Sequence, residues 1–156
     1  MKKVFKFAGF AALLLTLVGF ILLLATSAVT YEGHEIAKGT DALFGRKEGM
    51  LDIDPSPLSL IAWIFVLLAM LALGAKVVLD LMKKQVKFGR ILELCISIVL
   101  LVSAIMLFFT VPTFYSANGA SSVPDDVFLG AGWIVASIFF ILSGGALCAK
   151  FVLKAE

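Results

Sequence analysis

Hydrophobic positions along this chain fall into four blocks separated by shorter polar stretches. Phe7 to Val29, Leu58 to Leu79, Ile91 to Val111 and Phe128 to Val152 are almost uninterruptedly apolar. A helix rises 1.5 Å per residue, so each block is long enough to cross a hydrocarbon core about 30 Å thick. The pattern predicts an all-α integral membrane protein: a single four-helix transmembrane domain folded as an up-down-up-down bundle. Residues 31–57 and 112–127 are then outer loops, and residues 80–90 an inner turn.

Local signals sharpen the boundaries. Ser56-Pro57 suits an N-cap followed by proline at the first helical position, and Asp125 and Asp126 would favour the positive end of the fourth helix dipole. Small residues four apart, Ala8 and Ala12 or Gly145 and Ala149, are suited to close helix packing. Lys2, Lys3 and Lys6 ahead of an apolar block give the start of the chain some features of a secretory signal. Its apolar stretch exceeds the usual signal core of about 7 to 15 residues, so an uncleaved helix is expected.

The second and fourth blocks end alike, in "ALGAKVVLDL" and "ALCAKFVLKA", and each has an upstream Trp-Ile pair, Trp63-Ile64 and Trp133-Ile134. Lys-Phe precedes both the first and the third block. These echoes, in order, suggest a duplicated helical hairpin about an axis along the membrane normal. Lys76 and Lys150 would then be equivalent, as would Trp63 and Trp133.

Composition agrees with a membrane setting. With 62% hydrophobic residues and a mean hydropathy of +1.09, the chain has more apolar surface than a soluble domain of this size buries. The net charge of +2 conceals an asymmetry. Ten basic residues, among them Lys2, Lys83 and Arg90, share the side of the termini with Asp80, Glu93 and Glu156, whereas the outer loops hold three basic and eight acidic residues. The positive-inside rule therefore places both termini and the "MKKQVKFGR" turn in the cytoplasm. Tyr31, Tyr115, Trp63 and Trp133 fall near outer helix ends and read as an interfacial belt.

Candidate chemistry is sparse. Lys76, Asp80, Glu93 and Lys150 lie near inner helix ends, where long side chains can snorkel, and Lys76 and Asp80 are spaced to pair along one helix. The hydroxyls of Thr16, Ser97, Ser103 and Ser137 are expected to bond backbone or a neighbouring helix. Cys95 and Cys148 read as buried thiols on a reducing side. His34 is the only histidine, too few for a haem or a zinc centre. Asp52 and Asp54 in "LDIDP" lack the ligand spacing of a calcium loop. No cofactor and no metal are expected.

The first outer loop carries "GTDALFGRKEG", in which Ala42-Leu43-Phe44 is an apolar triplet among glycines and charges. Gly33, Gly39, Gly45 and Gly49 permit tight turns. The triplet either folds back onto the outer helix ends or docks on another protein. Ala42, Leu43, Phe44 and Arg46 are the candidate partner-binding residues. "GRKEG" lacks the ending of a phosphate loop.

Four spans with cytoplasmic ends, a larger first and a smaller second outer loop resemble tetraspan proteins of the claudin type. "GTDALFGRK" is similar to a Gly-x-x-x-Leu-Phe-Gly segment of uncharacterised four-span proteins of Gram-positive bacteria. Claudins carry a tryptophan and a cysteine pair in the first loop. This chain has neither, so a paracellular barrier is not implied. The expected function is a non-enzymatic accessory or assembly subunit of a larger membrane complex or a homo-oligomer, multi-pass in a bacterial plasma membrane. Its expected partners are the lipid bilayer and a membrane protein or a second copy, with no nucleic acid. The alternative is a small transporter or channel with its pore between hairpins or subunits.

Overall fold

The computed structural model describes residues 2–153. Four long helices dominate: α1 (Lys2–Ala25), then α3 (Pro57–Leu81), α4 (Gly89–Phe108) and α6 (Ala131–Leu153), with short helices α2 (Gly39–Phe44) and α5 (Thr110–Ala117). The four long helices are apolar enough over sufficient length to cross a membrane. The chain is thus a multi-pass membrane protein. Their order around the bundle is α1, α3, α4, α6, each packed on its two neighbours and α6 most extensively on α1 and α4. Directions alternate. Lys150 near the end of α6 meets Glu93 near the start of α4 and lies beside Gly9 of α1, while Trp133 at the start of α6 bonds Leu23 near the end of α1. The ends near Gly9 and Lys150 are called here the terminal end, and the opposite one the sheet end.

The sheet end is not purely helical, which corrects the all-α expectation. Strands β1 (Ser27–Tyr31), β2 (His34–Lys38) and β5 (Val127–Leu129) form an antiparallel sheet with β1 central, and β3 (Arg46–Glu48) pairs with β4 (Leu51–Ile53). The cause is local. The run Val29-Thr30-Tyr31 has strand propensity, and Glu32 (φ 46°) and Gly33 (φ 82°) form a two-residue turn with both residues left-handed, the twist a tight hairpin needs. Gly49 (φ 61°) opens the two-residue turn between β3 and β4. The first membrane helix therefore ends at Ala25, not Val29, and the fourth begins at Ala131, not Phe128. Val29 pairs with Leu129 and Tyr31 with Val127 instead. Asp125 and Asp126 consequently sit in a turn before β5 and not at the start of α6, so the dipole role expected of them is corrected.

The third span ends at Phe108, and the chain resumes as α5 after one residue. Pro112 lacks the N–H that would have bonded Phe108, which breaks the ladder there, and it fits in the first turn of the next helix. Ser56 caps α3 with its side-chain oxygen accepting from Ser59 N, and Pro57 stands first, as the sequence predicts.

The bundle has the inverted character of membrane helices. Leu17, Ile21, Leu68, Leu71, Ile105 and Leu142 face outward, while small and hydroxylated residues such as Ala12, Thr16, Ala62, Ser97, Ala136 and Ser143 are fully buried. The hydroxyls are satisfied inside. Thr16 and Ser143 bond each other at 2.8 Å, Ser97 donates to the Gly144 carbonyl at 2.6 Å, and Ser103 and Ser137 donate to Val99 and Trp133 carbonyls in their own helices. The close α4–α6 approach runs through Gly144, where a Cβ would lie 3.0 Å from Ser97 O. The Gly145–Ala149 pair expected to pack faces outward; a Cβ on Gly145 would meet nothing within 4 Å. The two hairpins also pack unequally, α4 and α6 along their lengths and α1 and α3 much less.

Candidate functional site

At the terminal end, four charges from three helices meet. Lys150 Nζ lies 2.5 Å from Glu93 Oε1, and Lys76 Nζ reaches the same oxygen at 3.3 Å and Asp80 Oδ2 at 2.6 Å. The side chains of Lys150, Glu93 and Lys76 are at most a tenth exposed, while that of Asp80 is 43% exposed. Sequence spacing predicts the Lys76–Asp80 pair, four apart on α3. The snorkelling expected of Lys76 and Lys150 is corrected: both ammoniums turn inward, because Glu93 offers a carboxylate that the lipid does not. Gly89 makes the room for Lys76, because a Cβ there would sit 2.8 Å from its Cε, and Gly9 lies beside Lys150 Nζ. Lys76 and Lys150 thus meet on one carboxylate.

Beside this cluster, α1 and α3 enclose a cleft of about 350 Å³. Phe7, Phe10, Leu73, Val77 and Leu81 make it apolar, and Lys76, Asp80, Lys83, Glu93 and Lys150 supply its polar groups. Cys95 is exposed on the helix surface and Cys148 half-buried, both as free thiols, so burial of Cys95 is corrected.

At the sheet end, "GTDALFG" is a plug. Gly39 N donates to Thr26 O at 2.8 Å, and a Cβ at Gly39 would collide with the Leu23 carbonyl oxygen. Lys38 N donates to Asp41 Oδ2 at the start of α2. Gly45 (φ 75°) closes the helix on the Asp41 carbonyl, where a Cβ would lie 2.7 Å from Ile53 O. Between these two glycines, Ala42 and Leu43 are fully buried under the chain's own helices. Of the four candidate partner-binding residues, these two follow the fold-back alternative and lie in the core. Phe44 and Arg46 remain outside.

Phe44 is 53% exposed and stands edge-on to Trp63 at 5.2 Å, and Trp63 stacks on Phe20 at 5.4 Å. Arg46 is hydrogen-bonded to Glu48 and lies 3.8 Å from Asp41. The Glu48 hydrogen bond and charge raise its guanidinium above the ordinary value, adding to a charge that arginine carries in any case.

The aromatic belt is corrected at Trp133, which is fully buried and donates from Nε1 to Leu23 O at 3.1 Å. Trp63 meets α1 one turn deeper, at Phe20, and its Nε1 is buried without a partner among the described residues. A hydroxyl chain that sequence reading missed ties α3 to α5. Thr113 bonds Ser56 at 2.6 Å, Ser59 donates to Ser56 at 2.9 Å, and Thr110 bonds Ser59 at 2.8 Å. His34 is exposed on β2, and Asp52 lies 3.9 Å from Lys47. No three His, Cys, Asp or Glu side chains among the described residues gather in a metal-binding arrangement.

No protein family, curated protein or solved structure matches this chain. The site must be read from its own chemistry.

Proposed function

We propose that this chain is a non-enzymatic accessory subunit that attaches to a larger membrane complex, or to a second copy of itself, through its sheet end. The observation that carries this reading is Phe44. Its ring projects from a helix locked by Gly39, Gly45 and the buried Leu43, so a large apolar surface is held outside at little entropic cost. Met50, Phe128 and Ile36 add exposed apolar side chains on the same outer layer, and Arg46 adds a fixed cation. Aromatic and arginine side chains are the usual anchors of protein interfaces.

A small transporter is the second reading, favoured by the buried charges beside the α1–α3 cleft. A filled bundle axis supports the first reading over a pore within one chain: Ala12, Val66, Leu73, Leu100, Leu107, Phe140 and Trp133 are all buried there. In the preferred reading the basic terminal end is cytoplasmic, the sheet end lies outside a bacterial plasma membrane, and the chain is tetraspan-like in topology without the barrier role of claudins.

Replacing the exposed ring tests the proposal. Phe44→Ser should abolish co-purification of a partner in mild detergent while shifting the melting temperature little. Unchanged recovery of the partner from the folded variant would refute it.

A further inference from the structure

The cleft between α1 and α3 has the composition of a binding site for an amphiphile. Phe7 and Leu81 on its walls are 72% and 75% exposed, so it opens onto the outward surface of the bundle. Its floor is the charged cluster. A lysine ammonium carries three donors. Even with Glu93 counted for both lysines, Lys76 keeps one N–H and Lys150 two without an acceptor among the described residues. Lys83 adds a third ammonium at the rim, so three cations face two carboxylates across the lining. Gly9 on the α1 wall lies beside Lys150 Nζ.

We propose that this cleft binds an acidic amphiphile, its phosphate or carboxylate headgroup among Lys76, Lys83 and Lys150 and its alkyl chain against Phe7, Phe10, Val77 and Leu81. An anion there satisfies the remaining donors and balances the excess cation, and the alkyl chain covers apolar surface beside them. A cationic amphiphile would add to the excess instead. A volume of about 350 Å³ lies at the lower end of ligand pockets, so one headgroup and part of one chain are accommodated.

Equilibrium binding of radiolabelled short-chain phosphatidylglycerol to the purified full chain in dodecyl maltoside tests this. Saturation at one lipid per chain is expected. Unlabelled phosphatidylcholine has the same phosphate but adds a quaternary ammonium to the cation excess of the lining, so it should compete at least about tenfold more weakly. Inorganic phosphate should not compete, because it lacks the chain. Val77→Trp should fill the cleft and reduce affinity by at least about the same factor without touching the ion pairs. Lys83→Asn removes the rim charge at a left-handed residue (φ 57°) that asparagine tolerates, and should weaken binding severalfold. This second variant keeps the test decisive if the first does not fold. Equal competition by phosphatidylcholine, competition by phosphate alone, or wild-type binding in a folded variant of either kind would overturn the proposal.

Discussion

Glu93 is the residue on which the terminal end turns, because one carboxylate oxygen contacts two buried ammoniums from different helices. Removing it leaves Lys150 without an ionic partner among the described residues, whereas Lys76 keeps Asp80. Glu93→Ala should therefore cost about 3–5 kcal/mol, as breaking a buried pair does, and more than Lys150→Met, which leaves Glu93 paired with Lys76. Glu93→Leu combined with Lys150→Met should recover most of the loss. Thermal melting of the four proteins in one detergent measures all three differences. Equal stability of Glu93→Ala and the wild type would show that the cluster is not coupled. Sequence spacing exposes the Lys76–Asp80 half of this cluster. The Glu93–Lys150 half joins residues 57 apart, which no helical periodicity marks.

Glycines at the residue scale divide by what surrounds them. Gly39 abuts the Leu23 carbonyl, so Gly39→Ala should destabilise by about 1–3 kcal/mol or more through overpacking. Gly145 faces open space in mid-helix, and Gly145→Ala should stabilise by about 0.5–1 kcal/mol. Opposite signs in the same melting assay are the expected outcome. A matching sign would undo the packing argument at Gly39.

Among elements, the four spans are legible in the sequence because length and hydropathy alone set them, and lipid enforces helix there. The strands are not legible for a related reason. Ala28 and Val29 follow Thr26-Ser27 at the end of an apolar block whose composition does not mark a strand, yet they form strand because β2 and β5 lie beside them. Long-range pairing decides, and single-sequence periodicity does not contain it. The same holds for α2: its apolar triplet marks something in need of cover, while only the fold shows that Leu43 is covered from within and Phe44 is not. Leu43→Ala should cost about 2–5 kcal/mol in stability, as a buried leucine truncation does. Phe44→Ala should cost far less in the isolated chain. Comparable losses at the two positions would contradict this division of labour.

At the scale of the whole molecule, charge and fold make one statement about direction. The basic turn between α3 and α4 lies at the terminal end, and the acidic loops fold into the sheet end. In a cysteine-free background, single cysteines at the exposed positions Glu32 and Ser121 should react with an impermeant thiol reagent added to intact cells, and one at Gln85 should not. The opposite pattern would invert the molecule and place the plug inside. With that orientation, the proposed attachment would run through Phe44 on the outer sheet end. Photo-crosslinking in native membranes from a benzophenone amino acid at position 44 tests this attachment directly, with position 68 on the outward face of α3 as comparison. The account predicts a discrete protein adduct, either one partner or a second copy, from position 44 and none of that mass from position 68. Adducts from position 44 to lipid alone, or the same adducts from both positions, would contradict it.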